Sequence, residues 1–266
     1  MILISNLSIV LPVINERLNL ETLVPELLAI CSDIGIECEV IVVDDGSTDG
    51  TDLFMSDLQK VEPRLLRIDR SERKKSLPDS LNDGISLARY EHVLWMDADG
   101  SMPASTVGNL VASFNSHDDQ MNLIVVGSRF VPGGGFKGSG DSGKTGLLEA
   151  RRNLKATNDS FTAMILSRIL NQYLYLSLKR CCKDPATGFV LTKKMHLTAN
   201  PLKGSYGDYC PRFLYESRKS KVRIVEIPYI CLPRKHGESK TGSNLGQLIK
   251  RGLPYVVMPL KIRFSR

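Results

Sequence analysis

The sequence predicts an α/β fold, in which a mainly parallel, twisted sheet carries helices on both faces. The first observation is a set of short, almost continuously apolar runs, such as residues 39–43 and 93–96. Such runs are typical of strands buried on both faces, and those strands belong to parallel sheets. The second observation is that most runs are followed by a segment with helical spacing of its apolar residues. Repeated strand-then-helix units predict parallel strands joined by right-handed crossovers.

The same patterns place each element along the chain. Strands are predicted at residues 7–13, 39–43, 65–68, 93–96, 123–127 and 222–229. Helices are predicted at residues 21–30, 52–60, 78–89, 106–114, 147–179 and 211–220. Residues 184–189 form a turn that enters a further short strand, and the alternation in residues 222–229 predicts a strand near the sheet edge. We therefore expect one domain over residues 1–240, followed by a C-terminal amphipathic basic segment over residues 241–266.

The basic charge of the chain is concentrated near its C-terminus. The net charge is +6, and the residues from Arg212 onward contain 13 Lys/Arg against 3 Asp/Glu. Such a segment is suited to nucleic acid, an anionic membrane surface or a phosphorylated substrate, or it is simply a solvated basic face. In residues 245–266, apolar side chains alternate with basic clusters, as in an interfacial membrane anchor, although a terminal helix docked on the domain explains the pattern nearly as well.

The cysteines and the apolar runs indicate the compartment. The six cysteines form no Cys-x-x-Cys pair, which favours reduced thiols in the cytosol over a disulfide framework or a zinc site. The start of the chain lacks a basic n-region, and no apolar run reaches the roughly 18 residues that a spanning helix needs. We expect no signal peptide, and we expect any membrane contact to be peripheral unless a spanning part lies outside this sequence.

Carboxylates follow two of the predicted strands. Asp97 and Asp99 come directly after the strand at residues 93–96, and Asp44 and Asp45 end the strand at residues 39–43. Ligands of open α/β sheets bind at the carboxyl ends of the strands. Asp97 and Asp99 are two residues apart, so on extended chain they share a side and can converge on one hard cation. Capping of the following helix is the simpler alternative for an isolated Asp-x-Asp.

Residues 138–145 match the phosphate-binding P-loop pattern letter for letter. A working P-loop follows its strand directly, so that backbone amides and a helix N-terminus surround the phosphates. Here a glycine-rich stretch separates the match from the strand at residues 123–127. We interpret the match as accidental.

Six short motifs, weak individually, occur in a characteristic order. They are Pro12-x-x-Asn15-Glu16, Val43-Asp44-Asp45-Gly46-Ser47-Thr48-Asp49-Gly50-Thr51, Met96-Asp97-Ala98-Asp99, Gly127-Ser128-Arg129-Phe130, Asp184-Pro185-x-Thr187-Gly188-Phe189 and Arg234-x-x-Gly237-x-Ser239-Lys240. Together they resemble family-two glycosyltransferases of GT-A fold, and most of all the polyprenyl-phosphate glycosyltransferases. The likeness covers nearly the whole chain up to about Lys240.

The resemblance implies roles for individual residues. Pro12, Glu16, Asp44 and Asp45 would hold the nucleotide part of a nucleotide-sugar donor, with Asp97 near the ribose or the metal. Asp99 would bind a divalent cation, Mg²⁺ or Mn²⁺, that bridges the diphosphate. Such a cation, together with cationic side chains, stabilises the negative charge that develops on the leaving group.

The cationic residues for that task and for gripping an acceptor phosphate would be Arg129, Arg234 and Lys240. A phosphate acceptor is already ionised at neutral pH, which implies a single inverting displacement without a dedicated general base. The acceptor helix of the family is matched at Ser167 and Asn171.

The sequence departs from the family in two places that affect these roles. A glutamine that often follows the second Asp of the Asp-x-Asp by two positions is Ser101 here, a shorter metal ligand. The arginine expected about one turn before Ser167 is absent, with Ala163 in that region, and Arg151 or Arg152 are the candidate substitutes.

The resemblance implies transfer of a sugar from a GDP- or UDP-sugar to a polyprenyl or dolichyl phosphate. The partners would be the donor, the lipid acceptor and the membrane surface rather than nucleic acid, and the protein would be peripheral on the cytosolic face. A second hypothesis keeps the fold but sends the sugar to a soluble or glycan acceptor. From a different class, the chain would be a P-loop nucleotide switch or a binding module without catalysis.

Overall fold

A computed structural model describes residues 3–136, 161–236 and 245–264 of the chain. Its strands are β1 (Asn6–Val13), β2 (Glu37–Asp44), β3 (Leu65–Asp69), β4 (His92–Trp95), β5 (Leu123–Ser128), β6 (Gly135–Phe136), β7 (Val190–Lys193), β8 (Arg223–Pro228) and β9 (Ile230–Cys231). The described helices are α1 (Arg17–Asp33), α2 (Thr51–Val61), α3 (Leu77–Leu87), α4 (Thr106–Asn115), α5 (Phe161–Ser177), α6 (Lys194–Ala199), α7 (Tyr209–Lys219) and α8 (Leu245–Phe264).

Seven strands form one sheet in the order β3-β2-β1-β4-β7-β5-β8. All neighbours are parallel except β7, which runs antiparallel to both β4 and β5. The carboxyl ends of the six parallel strands therefore meet at one edge of the sheet, and the turn that enters β7 lies at that same edge. A separate pair of short parallel strands, β6 and β9, lies beyond β5 and β8 in the chain.

Helices cover both faces of the sheet, each over its own apolar core. On one face, α1, α2 and α4 pack on β-strand side chains such as Leu11 and Val42. On the other face, α3 and α5 to α8 pack on side chains such as Val10 and Val43. Alternate residues of β1 and β2 thus enter opposite cores, as expected for strands buried on both faces.

Most predicted elements are confirmed, with ends shifted by a few residues. The edge position of the strand predicted at residues 222–229 is confirmed by β8, which ends the sheet order. The first half of the long helix predicted at residues 147–179 lies outside the described residues. The sequence reasoning missed α6, which has only 6 residues, and the 2-residue strands β6 and β9.

The structure describes all six cysteines. Within the described part of the chain they form no disulfide with one another, and five of the six are buried. Burial raises the pKa of Cys210 to about 12, so this thiol remains protonated and unreactive at neutral pH. Among the described residues, no helix is long and apolar enough to cross a membrane.

The C-terminal helix α8 is attached to the domain by one side. Met258 and Ile262 are buried in the core that α5 and α7 also line. The hydroxyl of Tyr173 on α5 donates a hydrogen bond of 2.8 Å to the carbonyl of Val256. The opposite side of α8 carries Leu253, Val256 and Leu260, which are exposed.

Candidate functional site

The loops after β1 and β2 are joined by the side chain of Asn15. This residue has a left-handed backbone conformation with φ of 54°, which asparagine tolerates better than most residues. Its Oδ1 accepts a hydrogen bond of 2.7 Å from the N–H of Thr48, and its own N–H donates to Oγ of Ser47 at 2.9 Å. Pro12 and Glu16 are thereby held beside the turn at residues 44–49.

Asp44 stabilises the turn after β2. Its Oδ2 accepts hydrogen bonds of 2.8 and 3.2 Å from the guanidinium of Arg67, and its Oδ1 accepts one of 2.8 Å from the N–H of Ser47. The carboxylate has only 1% of its side-chain surface exposed. Both oxygens are therefore occupied by the protein, and Asp44 positions the loop.

Asp45 is fixed by a buried arginine. Nη1 of Arg70 donates to its Oδ1 at 2.6 Å, and the N–H of Ser76 donates to its Oδ2 at 2.8 Å. Arg70 is only 3% exposed and is itself held by Asp83 at 2.8 Å and by Oγ of Ser80 at 2.6 Å. A carboxylate oriented in this way has remaining lone pairs with which to accept an N–H of a nucleobase.

The turn ends at Asp49, which caps the start of α2. Its Oδ1 accepts from the hydroxyl and the N–H of Thr51 at 2.6 and 3.1 Å, and its Oδ2 accepts from the N–H of Arg17 at 2.9 Å. Burial alone would raise the pKa of Asp49, but these hydrogen bonds outweigh burial and lower it. Asp49 remains ionised and links the start of α1 to that of α2.

Asp97 and Asp99 follow β4 at the edge where the β1 and β2 loops lie. Oδ1 of Asp99 accepts a hydrogen bond of 2.9 Å from the N–H of Ser101, and Oδ2 lies 2.8 Å from Nη2 of Arg234. Nη1 of the same guanidinium is 3.8 Å from Oε1 of Glu16. The predicted residues Glu16, Asp99 and Arg234 are thus in one charged cluster.

The donor set after β4 fits an oxygen-bound divalent cation that is shared with a ligand. Over the described ranges, no three His, Cys, Asp or Glu side chains converge as a self-contained metal site would require. Asp97 and Asp99 offer the carboxylate oxygens that Mg²⁺ and Mn²⁺ prefer, and Mg²⁺ is usually bound by one or two carboxylates together with phosphate oxygens and water. A diphosphate would supply the missing ligands.

Arg129 and Asp184 form a bidentate pair between the end of β5 and the turn before β7. Nε and Nη2 of Arg129 donate to Asp184 at 2.8 and 2.7 Å, and the backbone N–H of Arg129 adds a bond of 2.9 Å. The rings of Phe130 and Phe136 lie 5.4 Å from the guanidinium carbon. Burial would lower the pKa of Arg129, but the Asp184 charge raises it, so the guanidinium is permanently charged.

The predicted acceptor residues lie on α5. Nδ2 of Asn171 donates to the carbonyl of Ser167 at 2.9 Å. Asn171 is 3% exposed, and its Oδ1 has no hydrogen-bond partner in the described part of the chain. Lys240, Arg151, Arg152 and the P-loop match at residues 138–145 all lie outside the described residues.

The sequence reasoning missed the arginines that hold the acidic turn. Arg67 lies in β3 and Arg70 directly follows it, and β3 pairs in parallel with β2, with Asp69 opposite Asp44. The sequence contains a signal that could have indicated these pairs. Acidic residues end one strand, and arginines lie at the end of its neighbour.

Sequence comparison relates this chain to known glycosyltransferases. The family model for Glycosyl transferase family 2 matches residues 8–174. A dolichol-phosphate mannosyltransferase of Pyrococcus furiosus is 28% identical over 88% of this chain, and the chain spans 58% of that protein's length. A polyprenol monophosphomannose synthase of Mycolicibacterium smegmatis is 26% identical over 89% of this chain and 82% of its own length.

Solved structures agree on the fold. Glucosyl-3-phosphoglycerate synthase from Mycobacterium tuberculosis, in complex with Mg²⁺ and UDP, matches with a TM-score of 0.63 and 17% identity over 97% of this chain and 79% of that one. A mannosyltransferase from Pyrobaculum calidifontis, in complex with GDP-Man and Mn²⁺, matches with a TM-score of 0.57 and 16% identity over 98% of this chain and 65% of that one.

The fold with its acidic strand ends defines the class, a glycosyltransferase of GT-A fold. Within that class the chain belongs to glycosyl transferase family 2, because the family model covers more than half of it. The resemblance inferred from the six motifs is therefore confirmed.

Proposed function

We propose that this protein transfers a sugar from a GDP- or UDP-sugar to a polyprenyl or dolichyl phosphate, with inversion at the anomeric carbon. The observation that carries the proposal is that Asp45, Asp99 and Arg129 follow strands at the carboxyl edge of one sheet, where Arg234 contacts Asp99. The relatives named above, which are called dolichol-phosphate and polyprenol-phosphate mannosyl enzymes, support the choice of acceptor.

The donor half of the proposed site lies over β1, β2 and β4. Asp45 accepts an N–H of the base, with Pro12 and Glu16 beside the nucleoside. Asp97 and Asp99 would hold Mg²⁺ or Mn²⁺ for the diphosphate, with Ser101 as a further, weaker ligand. When bound, such a cation withdraws charge from the departing nucleoside diphosphate. Arg234 and Lys240 provide further positive charge for that leaving group.

The acceptor half lies over β5 and the turn before β7. In the described part of the chain, Asp184 engages Nε and Nη2 of Arg129, and Nη1 makes no hydrogen bond. Nη1 is the nitrogen that would donate to an acceptor phosphate, and the aromatic rings beside it exclude water from the pair. Ser167 and Asn171 on α5 would complete the phosphate site with the hydroxyl of Ser167 and the second N–H of Asn171 Nδ2, both of which are donors. An ionised phosphate oxygen can then attack without a general base.

A lipid acceptor requires the site to lie at a membrane surface, and α5 and α8 supply a suitable face. Six of its side chains are 38–60% exposed, namely Leu166, Ile169 and Leu176 on α5 and Leu253, Val256 and Leu260 on α8. Their spacings of three, four and seven residues put each set on one side of its helix. We call these six side chains the apolar face. The exposed basic residues Lys179, Arg180 and Lys261 lie on or next to the same helices, and positive charge of this kind attracts anionic lipid.

The proposal is tested by incubating the full chain with radiolabelled GDP-mannose or UDP-glucose, Mn²⁺, and either a short polyprenyl phosphate or 3-phosphoglycerate. We expect labelled, chloroform-soluble product with one donor, and none when EDTA is added. Transfer to phosphoglycerate alone would support the soluble-acceptor hypothesis. Nucleotide binding without transfer to any acceptor would support a binding module.

A further inference from the structure

Residues 232–236 form a strap over the carboxyl ends of β4 and β1. The N–H of Leu232 donates to the carbonyl of Ser101 at 2.9 Å, and Nδ2 of Asn19 donates to the carbonyl of His236 at 3.3 Å. Between these points, Arg234 reaches Asp99, and Lys235 forms an exposed ion pair of 3.2 Å with a carboxylate of α1. The strap therefore lies directly over the residues that would hold a cation.

The guanidinium of Arg234 lies on the Asp99 carboxylate. Oδ2 of Asp99 accepts from Arg234, and Oδ1 accepts from the N–H of Ser101. The Asp99 side chain is only 6% exposed, and that of Arg234 is 23% exposed. A divalent cation binds the same lone pairs that the guanidinium occupies, and two positive charges in contact with one carboxylate repel each other.

We propose that Arg234 and the divalent cation exclude each other at Asp99, so that cation binding releases the strap. This inference rests on the proposed function, since it assumes a cation at Asp99. Once released, Arg234 is free to follow the cation onto the diphosphate, where its charge supports the leaving group. Without a cation, the strap stays attached to Asp99 through Arg234.

The packing of the strap is consistent with release. Leu232 and Arg234 are half-buried, and Lys235 is exposed. Leu232 and Lys235 line an open groove of about 420 Å³ between the strap, α1 and the loop after β4, so this side of the strap faces solvent. Moving the strap breaks the ion pairs of Arg234 and Lys235 and the hydrogen bonds at Leu232 and His236.

The opposite interpretation is that Arg234 orients Asp99 for the cation. The two interpretations make opposite predictions for the substitution Arg234→Gln. If the guanidinium competes, Arg234→Gln strengthens cation binding. If it orients the carboxylate, the same change weakens binding or leaves it unaltered.

The experiment measures Mn²⁺ binding to the full chain without donor or acceptor, by titration calorimetry and by the loss of the free Mn²⁺ signal in electron paramagnetic resonance. We expect Arg234→Gln to bind Mn²⁺ about tenfold more tightly than the wild type, a difference of roughly 1.4 kcal/mol. Lys235→Gln is the matched control on the same strap, and it should stay within about twofold of the wild type. Arg234→Lys keeps the charge without the fork geometry, so its affinity for Mn²⁺ should lie between those of the wild type and Arg234→Gln.

A second readout follows the strap itself. Hydrogen exchange at the amide of Leu232 should accelerate when Mg²⁺ is added to the wild type, and should already be fast in Arg234→Gln. Unchanged or weaker Mn²⁺ binding by folded Arg234→Gln, or no binding at millimolar Mn²⁺, overturns the proposal. Donor turnover by the wild type in the same preparation would leave the proposed function standing, so the two failures are distinguishable.

Discussion

The membrane contact is expected to depend on the exposed side of α8. We propose the triple variant Leu253→Gln, Val256→Thr and Leu260→Gln. These side chains are 57%, 42% and 52% exposed. Full burial of such a side chain contributes ~1.5–3 kcal/mol, so burying the exposed half of each at a membrane contributes about 1 kcal/mol. The three substitutions together should then weaken the free energy of membrane binding by about 3 kcal/mol, which is about a 150-fold lower partition coefficient from water to the membrane.

The assay is co-sedimentation with anionic liposomes at several lipid concentrations. The matched control replaces three exposed apolar residues on the other face of the sheet, with Ile34→Gln, Leu53→Gln and Val61→Thr. Their side chains are 41%, 69% and 77% exposed, so the control removes at least as much exposed apolar surface. Only the α8 variant should lose binding, and binding by the wild type should weaken in high salt because the basic residues contribute electrostatic attraction.

The reasoning would be refuted if the folded α8 variant sedimented like the wild type. Point substitutions are preferable to removal of residues 245–266, because Met258 and Ile262 are 4% and 9% exposed and belong to the core. Deletion of α8 would expose that core, so a loss of binding could not be separated from a loss of folding.

Three further predictions concern the site and the core. Asp99→Asn should lower the rate of sugar transfer by at least about 100-fold while the chain stays folded, because a negative charge beside the cation is lost. Near wild-type turnover at saturating Mn²⁺ would contradict the assignment of Asp99 as a ligand of the cation. Lys144→Ala should leave nucleotide affinity unchanged. A dissociation constant that rises a hundredfold, about 2.7 kcal/mol, would revive the P-loop hypothesis. Gly84→Ala should reduce the free energy of unfolding by about 1–3 kcal/mol in urea titrations, since the new Cβ would lie 2.5 Å from Cγ1 of Val10. Gly108→Ala, where the nearest atom is at 3.7 Å, is the matched control and should be neutral or stabilising.

The strand ends were predictable because their signal is local. Continuous apolar runs that end in Asp44-Asp45 or lead into Asp97 and Asp99 identify both the strand and the edge at which it ends. The direction of β7 was not predictable, because its 4 residues pack equally well in a parallel or an antiparallel strand. Its reversal matters for the site, since it brings the turn with Asp184 to the same edge as Arg129.

The pairings across the site were not predictable from spacing. Asp184 lies 55 residues beyond Arg129, and Asp99 and Arg234 come from motifs in the middle of the chain and near its C-terminus. Each residue was recognised as a member of a motif, but a motif does not say which charge neutralises which. That information depends on how the loops pack over the sheet edge.

The charge pairs of the site differ in where their arginine lies, in the sheet or on the strap. Only the arginine on the strap is suited to exchange with a cation. Asp44, Asp45 and Asp184 are held by arginines that are 19%, 3% and 15% exposed, respectively, and that lie in or directly after strands of the sheet. Breaking a buried pair by removal of one partner costs about 3–5 kcal/mol, so these pairs form a rigid frame. The partner of Asp99 is instead carried by the strap, outside the sheet, and is 23% exposed. Under our proposal, a cation replaces that guanidinium without disturbing the frame. The same replacement at Asp44, Asp45 or Asp184 would dismantle the loops that we propose orient the donor and acceptor.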